Sequence, residues 1–438
     1  MDTKNRNKTH HNLFQRHNFE LKLVLEGIAV GIFAGLLVVS YRWALEQAGL
    51  ALSGIYQALS AKPYLIPLWV GVLLAIGYLV AGLIKNEPMI KGSGIPQVKG
   101  LLDGRINMNW LKVIIGKYIG GVLVIGSGLS LGREGPSVQL GAAVGQGFSK
   151  IFKGIKTGEK YLITSGASAG LAAAFNAPLA GVVFALEEAH NSFSPFIILS
   201  AFPAAITANL VSSKFFGLTP VFNLENLTPL PLNHYVHIVI LGSVLGVLGA
   251  IFNSTLFSAQ KLYSRLTWIP QELWVIIPLL ITVVLGFFLP QVLGGGHGLI
   301  TSILAQKNSA LKTLLLLFLV KFLFTMVSYG SGAPGGIFFP LLTIGSLIGG
   351  IYGTVLVDFF QFESAYINNF VILSMAGYFT AIVRAPLTGI ILITELVGSF
   401  GNFLSIPLVS ITAYIVANLL GSKPIYQSLY ENIVRPKT

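Results

Sequence analysis

Gly132-Arg133-Glu134-Gly135-Pro136 sets a carboxylate inside a long apolar stretch of the chain. Only 16 of the 438 residues are Asp or Glu, and an ionisable group at membrane depth is costly unless it handles ions or protons. Glycines flank Glu134 and a proline follows it, so the segment breaks a helix and leaves backbone N–H groups free. Proline suits the first helical position, where no N–H is required. Glycine lets the backbone approach a ligand closely.

The surrounding composition fixes the class. The chain is 54% hydrophobic and 10% charged, with a mean hydropathy of +0.76. These values mark an all-α polytopic membrane protein. The apolar stretches 66–84, 111–131, 236–252, 275–293, 311–329 and 403–421 are each long enough to span. The 49 Gly and 20 Pro interrupt the helices, and broken backbone is tolerated in a bilayer only where it is buried or lines a wet cavity. Absence of Cys excludes disulfides, thiol chemistry and Cys-based metal sites.

A net charge of +12 does not indicate nucleic acid here, because the cations sit at the ends and in short loops. Lys4, Arg6, Lys8, Arg16 and Lys22 precede the first apolar stretch, and Arg435 and Lys437 close the chain. The positive-inside rule places both termini in the cytoplasm, along with the loop bearing Lys150, Lys153, Lys156 and Lys160 and the one bearing Lys99 and Arg105. The polar first 22 residues do not form a signal peptide.

The chain also repeats itself. Asn176-Ala177-Pro178-Leu179, running on to Glu187, resembles Arg384-Ala385-Pro386-Leu387, running on to Glu395, 208 positions later (384−176). Gly92-Ser93-Gly94-Ile95 matches Gly296-His297-Gly298-Leu299, and Lys117 matches Lys321, both 204 positions later. Gly132 and Pro136 likewise match Gly336 and Pro340. The organisation expected is a segment 1–24, a first membrane repeat 25–222, a linker 223–233, a second repeat 234–421 and a terminal segment 422–438. Repeated halves with interrupted helices are a transporter signature, and the interruptions point to the substrate site.

Three breaks share one design: Gly92-Ser93-Gly94-Ile95-Pro96, Gly132-Arg133-Glu134-Gly135-Pro136, and Gly335-Gly336-Ile337-Phe338-Phe339-Pro340. Each opens a helix, whose start presents unpaired N–H groups and the positive end of its dipole. Several such ends aimed at one point bind an anion without a full positive charge, which also allows its release.

These loops, together with Lys423-Pro424-Ile425-Tyr426 after the last span, resemble the signature of the CLC family of chloride channels and chloride/proton antiporters. The resemblance implies two inverted-topology repeats with discontinuous helices, about eighteen in all, and a homodimer with one pathway per subunit. It implies a chloride site formed by the Ser93 and Tyr426 hydroxyls with the N–H groups of Ile337 and Phe338. An outer anion position would use the N–H groups of Arg133, Glu134 and Gly135. Glu134 resembles the family's external gate, competing with the anion when ionised and carrying a proton when neutral. Glu188 resembles the internal proton-relay glutamate of the antiporters. The chain departs from the first motif at Gln97, usually Glu, and at Lys99, where some antiporters carry another acid. Ser93 points to chloride rather than nitrate or fluoride.

The implied function is secondary active exchange of chloride for protons across a cell membrane, with no cofactor and no nucleotide-binding regulatory domain. The alternative is a passive voltage- or pH-gated chloride channel of the same fold. A further rival, an enzyme using Glu134 and His297 as an acid/base pair, needs those side chains within hydrogen-bond reach. Glu187, Glu395, Lys117 and Lys321 are expected to be structural, as buried Lys–Glu pairs. Sequence alone shows no dimer face, though the small and branched residues of 166–186 and 380–396 are of a kind that can pack against a second subunit.

Overall fold

The structure is a computed structural model that describes residues 3–152, 156–222, 224, 227–305, 310–399, 401 and 404–434, and of residues 3–18, 156 and 157 the backbone alone. Of the charges expected to orient the chain, the side chains of Lys4, Arg6, Lys8, Arg16 and Lys156 and the whole of Lys153, Arg435 and Lys437 lie outside this description, as do linker residues 223, 225 and 226.

Seventeen α-helices and no strand are found among the described residues, against about eighteen expected. Two sets of eight run in the same order. The first is α1 Thr3–Ala61, α2 Ile66–Asn86, α3 Ile95–Leu102, α4 Trp110–Gly126, α5 Glu134–Ile151, α6 Lys156–Phe175, α7 Pro178–Phe184 and α8 Pro195–Phe216. The second is α9 Tyr235–Ser264, α10 Ile276–Phe288, α11 His297–Leu304, α12 Leu311–Gly330, α13 Phe338–Phe360, α14 Ile367–Val383, α15 Pro386–Val397 and α16 Ser405–Leu419. α17, Ile425–Val434, follows alone. Eight helical segments are long and apolar enough to cross a bilayer. Two of the expected spans fall short: 111–131 is broken after Gly126 at the end of α4, and 403–421 holds only the 15-residue α16.

Small residues draw the helices together, as they must where lipid supplies no hydrophobic drive between them. Gly27, Gly31 and Gly35, four apart on α1, lie against the backbone of Ser200, Ala204 and Ala208 on α8. Gly242 and Gly246 on α9 play the same part against Thr412 and Val416 on α16. The stretches 166–186 and 380–396 are mostly buried within the chain, and among their large hydrophobic side chains only Leu179 and Leu387 are strongly exposed. Most of their small residues thus serve packing inside the chain, while Leu179 and Leu387 face outward.

Reciprocal hydrogen bonds tie the halves together. Gly132 N donates to Gly336 O at 2.6 Å and Gly336 N to Gly132 O at 2.8 Å, in an antiparallel bridge between equivalent residues. Lys117 Nζ donates to the carbonyls of Ile90 and Gly92 at 2.8 and 2.6 Å, and Lys321 Nζ to those of Val292 and Gly294 at the same two distances. Glu187 accepts from Leu387 N and Thr388 N, the head of α15, while Glu395 accepts from Leu179 N and Ala180 N, the head of α7. These four residues are structural, but not as the Lys–Glu pairs expected. Each lysine satisfies two buried carbonyls, and each carboxylate caps a helix in the other half, where the dipole favours it.

The register of the first motif also changes. Gly94 and Gly296 cap α3 and α11 in matching left-handed conformations, φ 97° and 101°. Gly92 and Gly294 share φ 63° and accept from the equivalent lysines. Gly92-Ser93-Gly94-Ile95 is thus equivalent to Gly294-Gly295-Gly296-His297, two residues earlier than the letters suggest. Ser93 corresponds to Gly295, and His297 to Ile95. A glycine-dense run admits both registers on paper, and only backbone conformation separates them.

Candidate anion site

The three expected breaks each open a helix: α3 at Ile95, α5 at Glu134 and α13 at Phe338. Their starts converge. The Gly132–Gly336 bridge joins the residues just ahead of α5 and α13. Gly135, at the head of α5, lies directly against Ser93, and a Cβ there would overlap the Ser93 hydroxyl and approach its carbonyl oxygen to 2.8 Å. Only glycine fits at that crossing. On the α3 side, Gly94 lies against Gln139 of α5, whose amide donates to Met89 O at 2.8 Å.

Ser93, Tyr426, Glu134, Ile337 and Phe338 are all at most 1% exposed. Tyr426, at the start of α17, turns its hydroxyl toward that of Ser93 and is within electrostatic reach of Glu134 and Glu188. Neither the Ser93 hydroxyl nor the Tyr426 hydroxyl has a hydrogen-bond partner within the protein. Buried polar groups are ordinarily paired, so two bare hydroxyls beside converging helix starts form a place suited to a ligand that accepts hydrogen bonds. Phe338 is held by Phe379 and Phe175, at ring-centre distances of 4.7 and 5.2 Å, which fixes the head of α13.

The Glu134 carboxylate folds back over Gly132 and faces the amide of Phe339 at the head of α13 as well as its own. Neither oxygen completes a hydrogen bond. The carboxylate thus lies at the start of α13, whereas the expected outer anion position relies on the amides of Arg133, Glu134 and Gly135. Arg133 lies beside it, with Nε 3.9 Å from Glu134 Oε1 and a terminal nitrogen 3.4 Å from Glu46. Glu46 also accepts from Arg42 at 3.0 Å. That Arg42–Glu46 pair is the ordinary i,i+4 contact legible from spacing; its junction with Arg133, 87 positions further on, is not.

Glu134 lines a cavity of about 300 Å³ with Arg42, Arg133, His297 and Phe339. Ser93 lines another of about 230 Å³ with Lys91, Gln97, Trp274 and Tyr329. The two share no lining residue; Ser93, of the second, packs against Gly135, the residue after Glu134 of the first. His297 stacks on Phe222, ring centres 5.3 Å apart, and makes no hydrogen bond to Glu134. The two side chains line the same cavity without the hydrogen bond that an acid/base pair would use. Glu188 lies apart from Glu134, in the π-turn Ala185–Ala189 after α7, 3.9 Å from Lys99. Sequence spacing gave no sign of that Lys99–Glu188 pair, although Lys99 stands out as the motif's departure.

A polytopic helical protein of two inverted repeats, whose interrupted helices bring their N-termini and a buried carboxylate together between two cavities, has the build of an ion-transport protein. Residues 73–418 match the family described as voltage gated chloride channel, and the chain belongs to that CLC family. It is 33% identical over 427 residues to the H(+)/Cl(-) exchange transporter ClcA of Yersinia pseudotuberculosis, covering 95% of this chain and 89% of that protein. To the protein of the same name in Vibrio campbellii it is 36% identical over 382 residues, covering 84% and 81%. Its fold matches the crystal structure of a slow cyanobacterial Cl-/H+ antiporter with a TM-score of 0.90 at 31% identity, covering 95% of this chain and 98% of that one. It matches a CLC-type fluoride/proton antiporter with a TM-score of 0.74 at 27% identity, covering 93% and 97%.

Proposed function

We propose that this protein is a secondary active antiporter exchanging chloride for protons across a cell membrane, with Glu134 as gate and proton carrier. The observation that carries the reading is the Glu134 carboxylate, wholly buried, completing no hydrogen bond, with Arg133 3.9 Å away, and facing the Phe339 amide at the head of α13, beside the Ser93–Tyr426 hydroxyls. Ionised, it occupies the seat of an anion at a helix start. Neutral, it loses that attraction and yields the seat. One side chain therefore alternates between blocking the anion and carrying the proton. The central chloride is held by Ser93, Tyr426 and the amides of Ile337 and Phe338, and the outer position by those of Arg133, Glu134 and Gly135. Glu188 passes protons between Glu134 and the inner solution. The relatives named for H+/Cl- exchange and for Cl-/H+ antiport support the substrate pair.

The protein works as a homodimer in the cell membrane, with both termini in the cytoplasm. Purified protein in chloride-loaded liposomes tests the exchange. Downhill chloride efflux should drive protons inward against their gradient. Chloride movement with no proton counterflow would reassign the protein as a passive channel.

A further inference from the structure

Lys99 and Glu188 form a buried ion pair. Lys99 lies on α3, the helix that starts beside Ser93, and Glu188 lies in the π-turn after α7. Their side chains are 6% and 7% exposed, and Lys99 Nζ lies 3.9 Å from Glu188 Oε1. That oxygen makes no hydrogen bond within the protein, so the contact is one of charge without a shared proton. Asn191, with its amide turned so that both ends are satisfied, accepts from Lys99 Nζ at 3.0 Å and donates to Glu187 O at 2.7 Å. The lysine is thereby fixed from two sides.

Among the other charged groups nearby, Glu187 also acts on Glu188, with a sign opposite to that of Lys99; the rest act elsewhere. Glu187, the neighbouring anion, caps α15. Tyr426 of α17 faces Glu188 as a neutral hydroxyl. Asp103, at the end of α3, and Lys160, on α6, act on His190, and Asp103 also accepts from Tyr430 at 2.7 Å.

Building on the exchange reading above, we propose that Lys99 is a positioning residue for proton transfer: its charge favours the Glu188 carboxylate against the burial that disfavours it, and so sets the pH range over which Glu188 loads a proton. An opposite charge at this distance favours the ionised form of an acid, by roughly 1–3 pH units. A relay glutamate without such a neighbour loads in more alkaline solution. Where the motif carries an acid in place of Lys99 the influence has the opposite sign, so this one position tunes the relay without touching the anion.

The test is proton flux driven by a chloride gradient, in liposomes holding the full chain, as a function of pH on the side that Glu188 faces. Lys99→Gln should move the midpoint upward by about one pH unit or more. Lys99→Arg, which keeps the charge, should retain the wild-type midpoint. The double variant Lys99→Gln with Glu188→Gln should lose the displaced titration, because the group that titrates is gone. If Lys99→Gln does not assemble, Asn191→Asp serves: it keeps both partners and adds a carboxylate beside the lysine, which should also move the midpoint upward. A midpoint unchanged in whichever of these two variants assembles overturns the proposal. Chloride flux with no proton flux in the wild type at any pH is a different result, and it overturns the exchange reading on which this inference rests.

Discussion

Glu134 concentrates the chemistry in one side chain, and its neighbours limit what that chain can do. Glu134→Gln should abolish proton counterflow while chloride still moves, because the amide cannot cycle a proton; paired chloride and proton electrodes on liposomes read both. The Ser93 and Tyr426 hydroxyls reach the same region and lack partners in the protein. A hydrogen bond to a charged group contributes about 1.5–3 kcal/mol. Ser93→Ala and Tyr426→Phe should each weaken chloride binding by about tenfold or more, measured by isothermal titration calorimetry. Gly135→Ala should do more harm than either, since its methyl group meets the Ser93 backbone, with the carbonyl oxygen 2.8 Å away. Overpacking of that kind costs about 1–3 kcal/mol. Loss of both chloride binding and thermal stability is the expected outcome. Glu134 and Ser93 could be singled out in the sequence because a break beside a polar residue is visible in one dimension. The lie of Glu134 across the head of α13 could not, because the partner amide is about two hundred positions away.

Between elements, the halves hold each other by exchanged caps. Glu187 satisfies the head of α15 and Glu395 the head of α7. Removing the charge from either should lower stability by about 1 kcal/mol, within the range for a lost helix cap. Glu187→Gln and Glu395→Gln should therefore shift the unfolding midpoint downward by similar amounts, while a surface change such as Lys85→Gln leaves it in place. Lys117 and Lys321 form a second matched set, each satisfying two buried carbonyls. Lys117→Met should be more damaging than either Glu change, because Ile90 O loses its donor, at a cost of about 1–3 kcal/mol, and Gly92 O keeps only Gly335 N. Thermal unfolding in detergent compares all three. Sequence reading paired these lysines with these glutamates because opposite charges in matching repeat positions suggest it. Backbone geometry overrules it: the loop carbonyls ahead of α3 and α11 have no helical partner and lie within reach of the lysines.

At the scale of the whole molecule, the two sets of eight helices enclose a septum between two cavities. Glu134 lines one cavity and Ser93 the other, and Ser93 packs against Gly135, the residue after Glu134. In the proposed exchange, Glu134 gates the anion, so chloride and proton fluxes should rise and fall together with lipid composition and protein density in liposomes. Single-particle photobleaching of labelled protein in sparse liposomes should give two steps, as the proposed homodimer requires, and a single step would remove that assignment.

Membrane class, the order of the broken helices and the residues at each break were set by the sequence alone, because hydropathy, proline and glycine act locally and repeat at near-constant spacing. The family followed from four short motifs in order. The tertiary structure alone decided the register of the repeat, the capping partners, the junction of Arg133 with Glu46 and the Lys99–Glu188 pair. Each of these depends on which backbone or charge folding brings within a few ångströms, and in this chain such partners lie from tens to about two hundred positions apart.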